Sequence, residues 1–213
     1  MINNLKKFFI IIFASFCLIA HTLPTYAFSP SHSRLYQGID VSRWQGYIDF
    51  GQVKNSGIQV VYMKSSEGKS YIDPFFEQNY ANAKANGLKV GFYHYVTART
   101  IDAAKEEAIF FARVIAGKSP DCLLAMDFED FGNLSILEIN NISKVFLETL
   151  EETTGSKALI YSNSYSAKNI FSNELTVYPL WVAHYNVASP SSNGKWNYWV
   201  RLAVYKYWIC ATE

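Results

Sequence analysis

The chain has 213 residues, half of them apolar and 16% aromatic, with 19 Lys and Arg against 18 Asp and Glu for a formal net charge of +1. That balance, with no basic run, argues against nucleic acid as a partner and gives no support for attachment to a lipid surface, while the apolar fraction is ample for one core and excludes a disordered chain. Of the three cysteines, Cys17 falls in the N-terminal signal segment; Cys122 and Cys210 are too few for a disulfide framework and lack C-x-x-C or paired-His zinc spacing, so no metal is expected.

Lys6-Lys7, the apolar stretch Phe8 to Ala20 and Thr25-Tyr26-Ala27 read as the basic, apolar and small-x-small parts of a secretory signal over 1–27, cleaved after Ala27. The apolar run is shorter than the roughly 20 residues that span a bilayer, and Pro24 follows it, which favours secretion over a membrane anchor. A short polar leader over 28–36 then precedes a single domain over 37–213. In that domain the first strand-like runs are Gly38 to Ser42 and Ile58 to Lys64. Asp73-Pro74 supplies an N-cap and a proline at the first helical position, and Gly87 closes that helix. Another strand-like run, Lys89 to Val96, leads to a helix capped by Asp102, whose Ala108, Phe111, Val114 and Ile115 make an apolar stripe before Gly117. After the run Cys122 to Phe128, Ser135-Ile136-Leu137-Glu138 forms a capping box. Ile139, Ile142, Phe146 and Leu150 follow at helical spacing, and Gly155 ends the helix. Lys157 to Tyr161 and Leu180 to Tyr185 complete the strand-like runs.

Alternating strands and helices, with strands apolar enough to be covered on both faces, imply parallel strands and crossover helices. A barrel and an open doubly wound sheet both satisfy that pattern, and both place an active site at the carboxyl ends of the strands. Asp40, Lys64, Tyr93, His94, Asp127, Glu129, Tyr161 and Tyr185 all fall late in their strands, where one pocket could collect them. Val41-Ser42-Arg43-Trp44 stands where a Gly-rich phosphate loop would follow the first strand, which argues against a dinucleotide cofactor.

Met126-Asp127-Phe128-Glu129 is the most informative segment. Side chains alternate across a strand, so Asp127 and Glu129 share one face with Cα atoms about 7 Å apart and Phe128 takes the other. Like charges that close hold one carboxyl protonated toward neutral pH, which is how a general acid is made. The same tripeptide also suits a strand end capped by solvated charge, and Asp40 has a similar plain reading as a cap on the following turn.

Taken together, the motifs resemble the family 25 glycoside hydrolases, the Chalaropsis-type lysozymes. The resemblance rests on G-I-D-V-S-R-W-Q-G with I-D-F after it, from Gly38 to Phe50, on K-S-S-E-G from Lys64, and on D-P-F-F-x-x-N from Asp73. It continues through G-F-Y-H-Y from Gly91, M-D-F-E from Met126, Y-S-N from Tyr161 and L-W-V-A-H-Y from Leu180 to Tyr185. It implies a flattened, irregular β/α (TIM-like) barrel that cleaves the β-1,4 bond between N-acetylmuramic acid and N-acetylglucosamine in peptidoglycan glycan strands, needs no cofactor and acts as a secreted, wall-associated monomer. Glycosidic cleavage needs a proton for the leaving oxygen and negative charge near the developing oxocarbenium centre. Glu129 is the expected general acid, with Asp127 and Asp40 as ionised partners that raise its pKa; the substrate's own 2-acetamido carbonyl is preferred as nucleophile over direct attack by a carboxylate or by an inverting water. Tyr93, Tyr161, Trp181 and Tyr185 suit stacking on sugar rings, though core packing is the usual fate of such residues. His94 should point away from Tyr93, and Glu67 should hold a loop. A chitinase-like N-acetylhexosaminide hydrolase and a non-catalytic wall-binding remnant are the competing readings.

The family pattern continues with a W-x-Q-Y-like strand, a Gly-rich turn and a late Asp that completes the acidic cluster. Here Trp196 to Trp208 replaces it and no late Asp follows. Codons allowed for Trp199 onward, read one base later, translate as G-S-D-W-Q-Y-T-S-T-G-Y-V, a strand and turn of the expected kind. A single-nucleotide slip near Trp199, an incomplete barrel at its C-terminal strands and weakened activity are therefore expected, with Leu202, Val204 and Tyr205 suited to an improvised strand.

Overall fold

The computed structural model describes residues 29–30, 36–183, 195–196 and 198–202. The strands are β1 (Ser29–Pro30), β2 (Gly38–Val41), β3 (Val60–Glu67), β4 (Tyr71–Ile72), β5 (Lys89–Tyr95), β6 (Leu124–Asp127), β7 (Ala158–Asn163), β8 (Leu180–Ala183) and β9 (Tyr198–Leu202). They pair in the order β1-β9-β8-β7-β6-β5-β3-β2, parallel throughout, with β4 antiparallel on β3. From β2 to β9 the parallel strands are added in one direction. A doubly wound sheet would reverse direction at a switch point, so strand order resolves the choice that sequence left open in favour of barrel-type winding. The sheet is curled and open, a half-barrel.

The helices are α1 (Phe50–Asn55), α2 (Phe76–Ala85), α3 (Ile101–Val114), α4 (Ile136–Thr154) and α5 (Ser164–Asn169). Strand alternation divides the buried apolar residues into two layers. Val61, Met63, Val90, Phe92, Leu124, Met126, Ile160 and Val182 face outward and pack with Phe111 of α3 and Phe146 and Leu150 of α4. Val60, Tyr62, Ala125, Leu159 and Trp181 face inward and fill the bottom of the half-barrel. Tyr62 lies across Gly91, where an added Cβ would come within 2.5 Å of its ring, and its hydroxyl donates to the Leu123 carbonyl at 2.9 Å. The glycine at 91 thus makes room for the aromatic floor under the strand ends.

Helix ends follow the sequence signals with two corrections. The helix expected from Asp73-Pro74 starts at Phe76. Asp73 instead ties two turns together, accepting from the Phe75 N–H at 3.0 Å and from the Arg43 N–H at 2.9 Å. The cap of α3 is Thr100, whose hydroxyl accepts from the Ala103 N–H at 3.2 Å; Asp102 lies inside the first turn, where its charge faces the positive end of the helix dipole. The Ser135–Glu138 box and the left-handed Gly155 that closes α4, at φ 67°, stand as expected.

The short helices α1 and α5 and the hairpin strand β4 were not anticipated, because a helix of six residues is too short for a periodic stripe to show. Beyond β8, Tyr198–Leu202 runs parallel to it, with Leu180 opposite Trp199 and Ala183 opposite Leu202, and Ser29–Pro30 of the leader pairs on its far side. Tyr185, Val204 and Tyr205 lie outside the described residues. Among the described residues no helix is long and apolar enough to cross a membrane.

Candidate active site

Parallel register brings the late residues of successive strands side by side. Lys64 stands opposite Tyr93, Tyr93 opposite Ala125, Asp127 opposite Tyr161, and Tyr161 opposite Trp181. Asp40 enters from β2, paired to Tyr62, and Glu129 follows two residues after Asp127. Asp40, Tyr93, Asp127, Glu129, Tyr161 and Trp181 line one cavity of about 180 Å³. Phe128, between the two acids, is fully buried in the helix-facing layer, so the D-x-E alternation holds. The aromatic walls differ in character. Trp181 is buried with its ring 4.8 Å from that of Tyr62 and 4.7 Å from that of Tyr161, which makes it part of the floor. The Tyr93 hydroxyl is pushed up by burial and by the nearby Asp40 and Asp127 charges, with Ser42 pulling the other way.

The three carboxyls share one field. Asp127 is held well above the ordinary range, first by burial, then by the Glu129 charge, with Lys64 pulling the other way. Its Oδ1 is buried and has no hydrogen-bond partner. Glu129 is raised by burial and by Asp40, and Asp40 is raised by burial. Asp40 and Glu129 are open to solvent yet lie in a concave mouth, where protein surrounds them on most sides and weakens hydration. Glu129 is thus raised, as sequence reasoning expected, and burial raises Asp127 as well, which sequence reasoning took as an ionised partner.

One device behind the cavity escaped the sequence. The β3–β5 register shifts between Lys64 and Ser66, which leaves Ser65 as the extra residue of a bulge. Strict alternation would turn Glu67 away from Lys64; the bulge returns it to the same face, and Lys64 Nζ meets Glu67 Oε2 at 2.6 Å. The bulge is pinned by its hydroxyls: Ser65 Oγ donates to the Tyr93 carbonyl at 3.1 Å, and Ser66 Oγ bonds His94 Nδ1 at 2.8 Å. His94 is buried on the helix side, between the rings of Phe111 and Phe146, and its Nε2 lies 3.4 Å from Glu107 Oε2. It points away from Tyr93, as alternation requires, and does not reach the cavity. Tyr95 was also missed. It stands two residues beyond Tyr93 on the inner face, with Lys64 Nζ 5.0 Å from its ring centroid, and its hydroxyl is raised first by burial and then by charges that include Asp127 and Glu129. Period-two alternation from Tyr93 was the available signal. Among the described residues no group of three or more His, Cys, Asp or Glu is placed to hold a metal ion.

Comparison with known proteins agrees with this geometry. Residues 39–207 match the Glycosyl hydrolases family 25, past the point where a frame slip was expected. The chain is 34% identical over 168 residues to the uncharacterized protein YegX of Escherichia coli O157:H7, covering 76% of this chain and 61% of that one. It is 37% identical over 155 residues to the autolytic lysozyme of Clostridium acetobutylicum, covering 73% and 47%. It therefore spans roughly half to three-fifths of the length of these curated relatives. Among solved structures, the bacterial lysozyme from Streptomyces coelicolor superposes with a TM-score of 0.66 at 26% identity, over 79% of this chain and 83% of that one. One-way winding, an acid-lined cavity at the strand ends and a family match across most of the chain lead to one assignment: this protein belongs to glycosyl hydrolases family 25.

Proposed function

We propose that the protein is a secreted lysozyme that hydrolyses the β-1,4 bond between N-acetylmuramic acid and N-acetylglucosamine in peptidoglycan, with Glu129 as general acid. The observation that carries this reading is the meeting of Asp40, Asp127 and Glu129, from separate parts of the chain, in one aromatic-walled cavity. Family membership and the lysozymes among its relatives support the substrate class. The basic, apolar and small-x-small order of the first 27 residues supports export, and a monomer acting at the wall is the simplest working form.

Glu129 is the accessible acid of the pair and suits proton delivery to the leaving oxygen. As the C1–O bond breaks, the 2-acetamido carbonyl oxygen attacks C1, and the cyclic cation that forms is hydrolysed by water that gives its proton to the Glu129 carboxylate. Asp127 suits the amide. Its unpartnered Oδ1 can accept the acetamido N–H, and that bond favours the aspartate anion against the burial that disfavours it in the free site. Asp40 adds negative charge across the mouth. Tyr93 and Tyr161 offer the aromatic walls.

The deciding experiment is digestion of purified peptidoglycan with identification of the new reducing ends. N-acetylmuramic acid ends are expected, and Glu129→Gln is expected to lose about 10²–10⁴-fold in turnover while still binding the wall. N-acetylglucosamine ends, or cleavage of chitin oligomers alone, would favour a chitinase-like hydrolase. No turnover in either form, with wall binding intact, would favour a binding module.

A further inference from the structure

The turn that follows the Asp40 strand carries a cation that the cavity chemistry does not use. The 3-10 turn Arg43–Gln45 follows β2 directly, and its backbone is fixed from three sides. Ser42 Oγ accepts from the Trp44 N–H at 3.3 Å, Gln45 Oε1 accepts from the Ser42 N–H at 2.8 Å, and Asp73 accepts from the Arg43 N–H at 2.9 Å. Ser42 also lies close enough to Tyr93 to offset part of the burial effect on its hydroxyl, which sets the start of the turn near the cavity wall. On this turn the Arg43 guanidinium carbon lies 4.6 Å from the Trp44 ring centroid and 5.2 Å from that of Tyr71, and Nη1 donates to the Tyr71 hydroxyl at 3.1 Å.

Two cations therefore lie near the Tyr71 ring, and they differ in their partners. Lys64 Nζ, at 5.8 Å from the centroid, is paired to Glu67. Arg43 makes no ion pair among the described residues. A guanidinium has five N–H donors in a planar fork that matches a carboxylate, and stacked rings hold that fork in place. Trp44 and Tyr47 beside it are each 77% exposed, an apolar face for the C–H side of a sugar ring next to the positive charge. The acid-lined cavity repels a carboxylate, so a glycan that carries one is best held with that group outside the acids and against a cation.

We propose that Arg43, flanked by Trp44 and Tyr71, forms a carboxylate-reading subsite that engages a muramyl unit of the glycan beyond the ring held in the acid cavity. This rests on the peptidoglycan reading and extends it from the bond that is cut to the substituent that is recognised. The carboxylate is that of the lactyl ether in peptide-free glycan or of the stem peptide in substituted glycan.

The test uses the Glu129→Gln protein, so that binding is measured without turnover, and titration calorimetry with three soluble tetrasaccharides: peptide-free muramyl glycan, the same glycan carrying its stem peptides, and the neutral N-acetylglucosamine tetramer. Arg43→Gln added to this background is expected to weaken a carboxylate-bearing glycan about tenfold and to change the neutral tetramer less than twofold. Arg43→Lys, which keeps the charge without the fork, is expected to fall between. Loss confined to the peptide-free glycan assigns the lactyl carboxylate, and loss confined to the substituted glycan assigns the stem peptide. Equal weakening of all three ligands, or no weakening of any in a variant whose thermal unfolding matches its parent, overturns the subsite. If the carboxylate glycans bind through Arg43 but the wild-type protein cuts none, the hydrolytic reading fails and the subsite stands.

Discussion

Asp127 shows most directly how the site strains against the fold. Its raised carboxyl binds its proton more tightly in the folded chain than in the unfolded one, so stability falls as pH rises from the unfolded to the folded pKa, and the penalty is complete above the latter. Asp127→Asn removes the ionisation. It should raise the thermal midpoint at pH 7 by about 2–4 °C, the shift roughly 1 kcal/mol gives in a domain of this size, and the gain should vanish below about pH 4 where the wild-type carboxyl is neutral in both states. Peptidoglycan cleavage should fall in the same variant. A lower midpoint at pH 7 would show that the anion is stabilised by something other than the groups named here. Glu129 behaves differently because Asp40 contributes to raising it. A general acid works while protonated, so activity should fall as pH rises through the Glu129 pKa. Asp40→Asn, in whatever activity remains, should move that alkaline limb to lower pH, and an unmoved limb in the kcat profile would separate the two groups. These pairings were partly legible in sequence. Alternation gave the shared face of Asp127 and Glu129, but not the depth of burial at each, which is set by where β6 ends against β5 and β7. Hence Glu129 was foreseen as a raised carboxyl and Asp127 was not.

Strands and helices show why some of the architecture was readable and some was not. Long strands with fully covered faces and helices with a capping box or a glycine stop carry their signals in neighbouring residues, so β5, β6, α3 and α4 lie close to where sequence put them. The β3 bulge depends on a partner 28 residues away, the Ser66–His94 bond, and no local pattern announces it. Its consequence is the placement of Lys64 and Glu67 on one face near Asp127. Behind it, burial alone would raise Glu107, but bonds from His94 and from the Thr97 N–H and hydroxyl bring it below the ordinary range, while burial lowers His94 and keeps it neutral. Both shifts act in one direction: each group binds fewer protons folded than unfolded, so stability is lost as pH falls, through about 6.5 for the histidine and through the carboxylate range for Glu107. Ser66→Ala leaves His94 Nδ1 without this partner in a dry layer. It should cost about 1–3 kcal/mol in urea unfolding and reduce kcat by displacing the Lys64–Glu67 pair. Loss of stability with kcat intact would mean that the bulge holds its shape without the serine.

Among the described residues the sheet is a row, not a ring, and its two ends are not equivalent. β3, β5, β6, β7 and β8 each have a strand on both sides, whereas β2 ends the row and pairs only with β3 among the described residues. β2 carries Asp40 into the cavity and leads directly into the Arg43 turn. An edge strand opens with fewer bonds to break than a central one, so the cavity joins Asp127 on the central strand β6, and Glu129 just beyond it, to a third acid on an edge strand of its wall. Native-state hydrogen exchange should find the β2 amides opening at a free energy well below those of β5 and β6, whose strands are covered on both edges and both faces. Bound glycan fragment touches Asp40 in the proposed complex and should slow the β2 amides selectively, by a factor that grows with ligand concentration as mass action requires. Equal protection of β2 and β6 in the free protein would mean that the β2 edge is covered, and the Asp40 side of the cavity would then be as firmly held as the β6 side.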